Sequence, residues 1–78
     1  MPVFAQLCQV ATDAQEQKHI SKELAERVCK IGENRLNYKH LGLELHSLLA
    51  RLERSGGKVS AASVEELVER IEEKHRRI

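Results

Sequence analysis

Four histidines, two cysteines and one glycine-rich turn are the residues of this 78-residue chain whose types could support chemistry. His40 and Glu44 stand one helical turn apart with His46 close by, and His19 and Glu23 repeat that spacing. A zinc site needs three or four N, S or O donors converging on one point. Two separate His–Glu pairs do not supply them, so the spacing predicts no metal and no cofactor. Cys8 and Cys29 fall inside helical stretches, away from helix N-termini, where a thiolate is favoured. They read as small, buried, reduced thiols, and two cysteines imply no disulfide framework. Ser55-Gly56-Gly57-Lys58-Val59-Ser60 has the look of a phosphate loop, but it follows a helical stretch, and Val59 stands where Ser or Thr is required. His75 lies on the apolar face of the last helical segment and reads as a half-buried side chain. Covalent catalysis needs a nucleophile, a base within reach and a group orienting that base. No such set is legible, and the expectation is that the protein is not an enzyme.

The elements that would position any site are helices. Apolar residues make up 41% of the chain and charged residues 32%, the balance of a folded protein rather than a disordered one. Phe4 and Tyr38 are the aromatics, so the core must be aliphatic. A chain of this size buries only about 60% of its unfolded surface and is marginal without a staple or a partner. The net charge of +1 gives no electrostatic signature for nucleic acid or membrane. No run approaches the ~18 apolar residues of a membrane span. The first helix, although amphipathic, has no Lys or Arg before Lys18 and no Trp to hold it on a membrane surface. No signal peptide is evident, and with reduced cysteines a cytoplasmic setting is the default.

Periodicity predicts one all-α domain over residues 1–78, a small bundle of three or four helices. Val3, Phe4, Leu7, Val10, Ala11 and Ala14 form one face of a helix over about 2–18, with Pro2 suited to its first position. Ser21 is a good N-cap for the next helix. Glu23–Arg27 and Glu26–Lys30 have the favourable acid-first order at four residues' spacing. From Leu24 through Val28, Ile31, Tyr38, Leu41, Leu45, Leu48, Leu49 and Leu52 the apolar band keeps its phase. That continuity predicts a long central helix over 21–54, bent or split at 32–37, where Gly32, Asn34 and Asn37 are poor interior residues. Unbroken, it would be roughly 50 Å long. Gly56 and Gly57 stop it. Ser60, in competition with Ser63, caps a last helix over 60–77, whose stripe is Val64, Leu67, Val68, Ile71, His75 and Ile78.

A second, thinner stripe runs along the far side of the central helix: Ala25, Cys29, Gly32, Leu36, Leu43 and Ala50. It predicts contact with a second element, either the first helix or another copy of the chain. The functional reading is therefore a helical protein–protein interaction module, an adaptor or inhibitor that docks on a larger partner or on itself as a homodimer. The alternative is a small nucleic-acid-binding regulator using Arg27, Lys30, Arg35, Lys39, Arg51, Arg54 and Lys58. On one helix the first four of these spread over roughly 180° and make no groove-tracking stripe. Leu24-Ala25-Glu26-Arg27-Val28 resembles the first helix of helix-turn-helix repressors. Cys29 stands where a small turn residue belongs, however, and Gly32 comes three positions too late. The Leu41–Arg54 helix with Gly56-Gly57-Lys58-Val59 resembles the start of a winged helix, but no second strand follows Val59 to make a wing.

Overall fold

The computed structural model describes residues 5–34, 39–53 and 60–77. Within them lie helices α1 (Ala5–Glu16), α2 (Lys22–Glu33), α3 (Gly42–Leu52) and α4 (Ala61–Arg76), and Lys39 and His40 are also helical. The fold is an all-α bundle. Pro2, Val3, Phe4 and the segment Arg35–Tyr38 lie outside the described residues, as do Arg54–Val59 and Ile78.

Each helix end has a local cause. Lys18 takes a left-handed conformation, φ 65°, just beyond α1. The Lys18 N–H donates to the Gln15 carbonyl (2.9 Å) and the His19 N–H to the Ala14 carbonyl (2.9 Å). This pair of crossed bonds is the Schellman motif, which satisfies carbonyls the helix leaves unpaired. It reverses the chain in a few residues and delivers Ser21 to cap α2, where its Oγ accepts from the Leu24 N–H at 3.1 Å. Asn34 ends α2 with an extended ψ of 116°. Leu41 precedes α3 with no side-chain cap, and its carbonyl accepts from the Leu45 N–H at 2.9 Å. Ser60, not Ser63, caps α4: its Oγ accepts from the Ser63 N–H at 3.2 Å.

The continuous central helix is therefore replaced by its split form. Its roughly 50 Å length would also exceed the molecule, whose longest extent is 33 Å. The radius of gyration, 11.4 Å, matches the ~11.5 Å expected of a compact chain this long. The helices pack in a ring: α1 on α2, α2 on α4, α4 on α3, and α3 back on α1. The stripes read from the sequence meet in the middle. Leu7, Leu45, Leu48, Ile71, Val28, Val64 and Val68 are fully buried there, with Ala11, Ala14, Leu24, Ile31, Leu41, Leu49, Leu52 and Leu67 around them.

A covalent bond reinforces the first hairpin. Cys8 of α1 and Cys29 of α2 form a disulfide, their Cα atoms 4.3 Å apart. Ala11, Ala14 and Ala25 are buried in the same core, and small residues of this kind let helices approach closely. The expectation of two separate reduced thiols is overturned, because neither the spacing nor the composition exposes a pairing made by tertiary structure. With the thiols paired, the inference from free cysteine to a reducing compartment loses its footing. No helix among the described residues is long and apolar enough to cross a membrane.

Candidate functional site

The six residues of the second stripe separate into two groups. Ala25 and Gly32 are buried and Cys29 is half-buried in the disulfide, so this part faces the chain's own interior. For Ala25 and Cys29 the second element is α1. Leu36 lies outside the described residues. Leu43 and Ala50, two turns apart on α3, face outward. Leu43 is 82% exposed and is the exposed large hydrophobic side chain of the described residues. The candidate docking surface thus contracts from a full-length stripe to the outer face of α3, where His46 and Ser47 are also exposed.

The seven basic residues do not converge either. Arg27 leaves its intrahelical neighbour Glu23 and reaches across to α4. Its Nε donates to Glu72 Oε2 at 3.1 Å and a second nitrogen to Glu72 Oε1, while Glu65 lies 3.7 Å away. The two hydrogen bonds form a bidentate clamp, the strongest geometry open to an arginine–carboxylate pair. The clamp holds the Glu72 carboxyl below the usual carboxylate range and raises Arg27 further above its own. Arg51 is engaged as well, donating to the Ser63 carbonyl at 2.7 Å and tying α3 to the start of α4. Lys30 and Lys39 are exposed on separate elements, and Arg35, Arg54 and Lys58 lie outside the described residues. Two of the expected nucleic-acid contacts are therefore used to hold helices together.

The histidine pairs dissolve in the same way. Glu44 pairs with Lys74 of α4 at 2.9 Å, and that hydrogen bond holds its carboxyl below the usual range. His19 meets Gln17 at 3.1 Å, and His75 meets Asn34 at 3.3 Å. Among the described residues no three His, Cys, Asp or Glu side chains are grouped to hold a metal ion.

Two surface grooves are lined by described residues. One, of about 350 Å³, lies between the C-terminal halves of α2 and α4 and is lined by Arg27, Lys30, Ile31, Asn34, Ile71, Glu72, His75 and Arg76. The other, of about 340 Å³, follows the α1–α2 seam, with Lys22, Glu26, Lys30 and Glu33 among its lining. Sequence reasoning missed the first, because its walls come from segments some forty residues apart. The partial signal was Arg27, Lys30 and Arg76 on the flanks of two core stripes. No protein-family model, curated protein or solved structure matches the chain.

Proposed function

We propose that this protein is a small helical interaction module that works by docking the outer face of α3 on a protein surface, and that a second copy of the chain is the occupant of that face. The observation that carries the reading is Leu43, 82% exposed in a chain whose other large aliphatic side chains on α2, α3 and α4 are buried. An isolated surface leucine is ordinary. Leu43 is set apart by Ala50, exposed two turns further on, about 10.5 Å along the axis. A large and a small residue at that spacing are self-complementary. In a two-fold antiparallel pair each Leu43 lies over the partner's Ala50, and the same patch serves both copies. One leucine and one alanine per copy make a small patch, so the association is weak and concentration-dependent.

The experiment is light scattering after size exclusion over a wide range of protein concentrations, with the natural chain and Leu43→Asp side by side. The natural chain is expected to rise from 8.9 kDa toward twice that mass, and Leu43→Asp is expected to stay monomeric with unchanged helicity. A natural chain that remains a monomer up to ~1 mM, where binding is worth about 4 kcal/mol, overturns self-docking. Unfolding by Leu43→Asp would show that Leu43 belongs to the core.

A further inference from the structure

The Cys8–Cys29 bond lies toward the outer edge of the α1–α2 seam. Both cysteines are half-buried, whereas Leu7 and Val28, their neighbours in the chain, are fully buried. The two cysteines are not equivalently placed. Cys29 lines the groove of about 340 Å³ that follows the seam, together with Thr12 and Gln15 of α1, and Cys8 is not part of that lining. We propose that Cys29 is a thiol-exchange site: a small thiol of the glutathione class enters this groove as its thiolate, forms a mixed disulfide with Cys29, displaces Cys8 and unties α1 from α2.

The step balances with the thiol alone. The attacking thiolate forms a bond to the Cys29 sulfur, the Cys8–Cys29 bond breaks, and its electron pair leaves on Cys8, whose thiolate takes a proton from water. A second thiol attacks the small molecule's sulfur in the mixed disulfide, which leaves Cys29 as a free thiol and the small molecule as its symmetric disulfide. Which sulfur is attacked depends on access, and the groove gives access to Cys29. Charge does not bar entry: Lys22 and Lys30 are matched there by Glu26 and Glu33, so an anionic thiolate meets no net repulsion. The volume falls at the lower end of the range for small-molecule sites, which suits a small thiol. The exchange acts where α1 is most dependent on the bond. Among the described residues of α1, Leu7 is the one large side chain buried in the core, with Ala11 and Ala14 beside it.

The test treats the oxidised natural chain with reduced glutathione, quenches with acid at early times, alkylates the released thiol and maps the adduct by mass spectrometry. Glutathione is expected on Cys29 at least about tenfold more often than on Cys8. The same reaction in concentrated guanidinium, where no groove exists, reads the intrinsic preference of the two sulfurs and is expected to lie near parity. Lys22→Glu combined with Lys30→Glu leaves only carboxylates as the charged groups of the groove, and is expected to slow native exchange by about threefold at low salt and much less at high salt. Both positions are exposed, so helicity is preserved, and the milder pair Lys22→Gln and Lys30→Gln should reproduce the direction. A native preference for Cys29 no larger than that of the denatured chain would overturn the assignment. So would a native chain that resists glutathione while the denatured chain reacts, or a low-salt rate indifferent to both pairs of substitutions.

Discussion

Reducing the Cys8–Cys29 bond is the perturbation whose effect the structure sizes most directly. The bond closes a loop across a sequence separation of 21 residues. Chain-entropy arithmetic for a loop of that length gives about 11 cal/mol/K, or about 3 kcal/mol at room temperature. For a chain of 78 residues, unfolding entropy near 2.1 cal/mol/K per residue converts this into a Tm difference of about 20 °C. The assay is thermal unfolding by far-UV circular dichroism, oxidised against dithiothreitol-reduced protein, with thiol titration confirming each state. Protein concentration must be held fixed, because the self-association proposed above would also raise Tm. The double variant Cys8→Ser with Cys29→Ser should melt near the reduced form and ignore reductant. The loss should also be directional. The α1–α2 seam should gain hydrogen exchange before the α3–α4 pair, because α1 contributes mainly Leu7 and two alanines to the core. A shift below about 5 °C with the bond verified in the oxidised sample would refute this reasoning.

Three further outcomes follow from particular residues. Lys18 holds a left-handed φ of 65°, which costs an L-residue about 1–2 kcal/mol. After allowing for glycine's freer unfolded chain, Lys18→Gly should stabilise by about 0.5–1 kcal/mol, read as a higher urea midpoint. Leu48 is fully buried at the centre of the ring, and Leu48→Ala should cost about 3–5 kcal/mol by the same measurement. Glu72 and Glu44 both sit below the ordinary carboxylate range when folded. In acid the unfolded chain therefore binds their protons first. The stability they contribute is complete above the unfolded value of about 4.3 and is lost as pH falls through the lower folded values. Glu72→Gln should remove about 1 kcal/mol at neutral pH and flatten the acid limb of a Tm-against-pH curve; an unchanged limb would show the clamp to be inert.

Features carried by local rules are legible in the amino-acid sequence. Ser21 and Ser60 each offer an oxygen to an unpaired N–H three residues on, a relation contained within one turn. The core stripes are legible for the same reason, since burial follows a period of 3.6. The middle of the chain misleads because its regularity is longer in range. Ile31, Tyr38 and Leu41 keep the phase of one helix, but two helices that each bury a stripe can share a phase without being continuous. Gly32, Asn34 and Asn37 are the better guide, because their preferences act where the chain must leave the helix, as it does at Asn34. The disulfide requires both scales at once. Lys18 and His19 lie midway between Cys8 and Cys29, ten residues from each. A tight reversal there brings the cysteines opposite one another, but no glycine marks the reversal. The groove is less accessible still, because Lys30 and Arg76 become neighbours only through the packing of α2 on α4.

The distribution of structural duties over the surface explains where function can reside. Helices of 12, 12, 11 and 16 residues are marginal alone and must be tied together. The α1–α2 seam is tied by the disulfide, the α2–α4 seam by the Arg27 clamp, and the α3–α4 seam at both ends by Arg51 with Ser63 and Lys74 with Glu44. Each tie occupies a side chain that the sequence alone offers as a functional candidate: a cysteine, two of the basic residues, the glutamate of a metal-like pair. Subtracting them leaves, among the described residues, the outer face of α3, where Leu43 stands outside the core. That face carries none of the ties, so Leu43→Asp should leave the Tm of dilute protein unchanged while it removes the concentration dependence of the mass. A fall in Tm of the dilute variant would show that Leu43 shares in the packing and would break this division of the molecule.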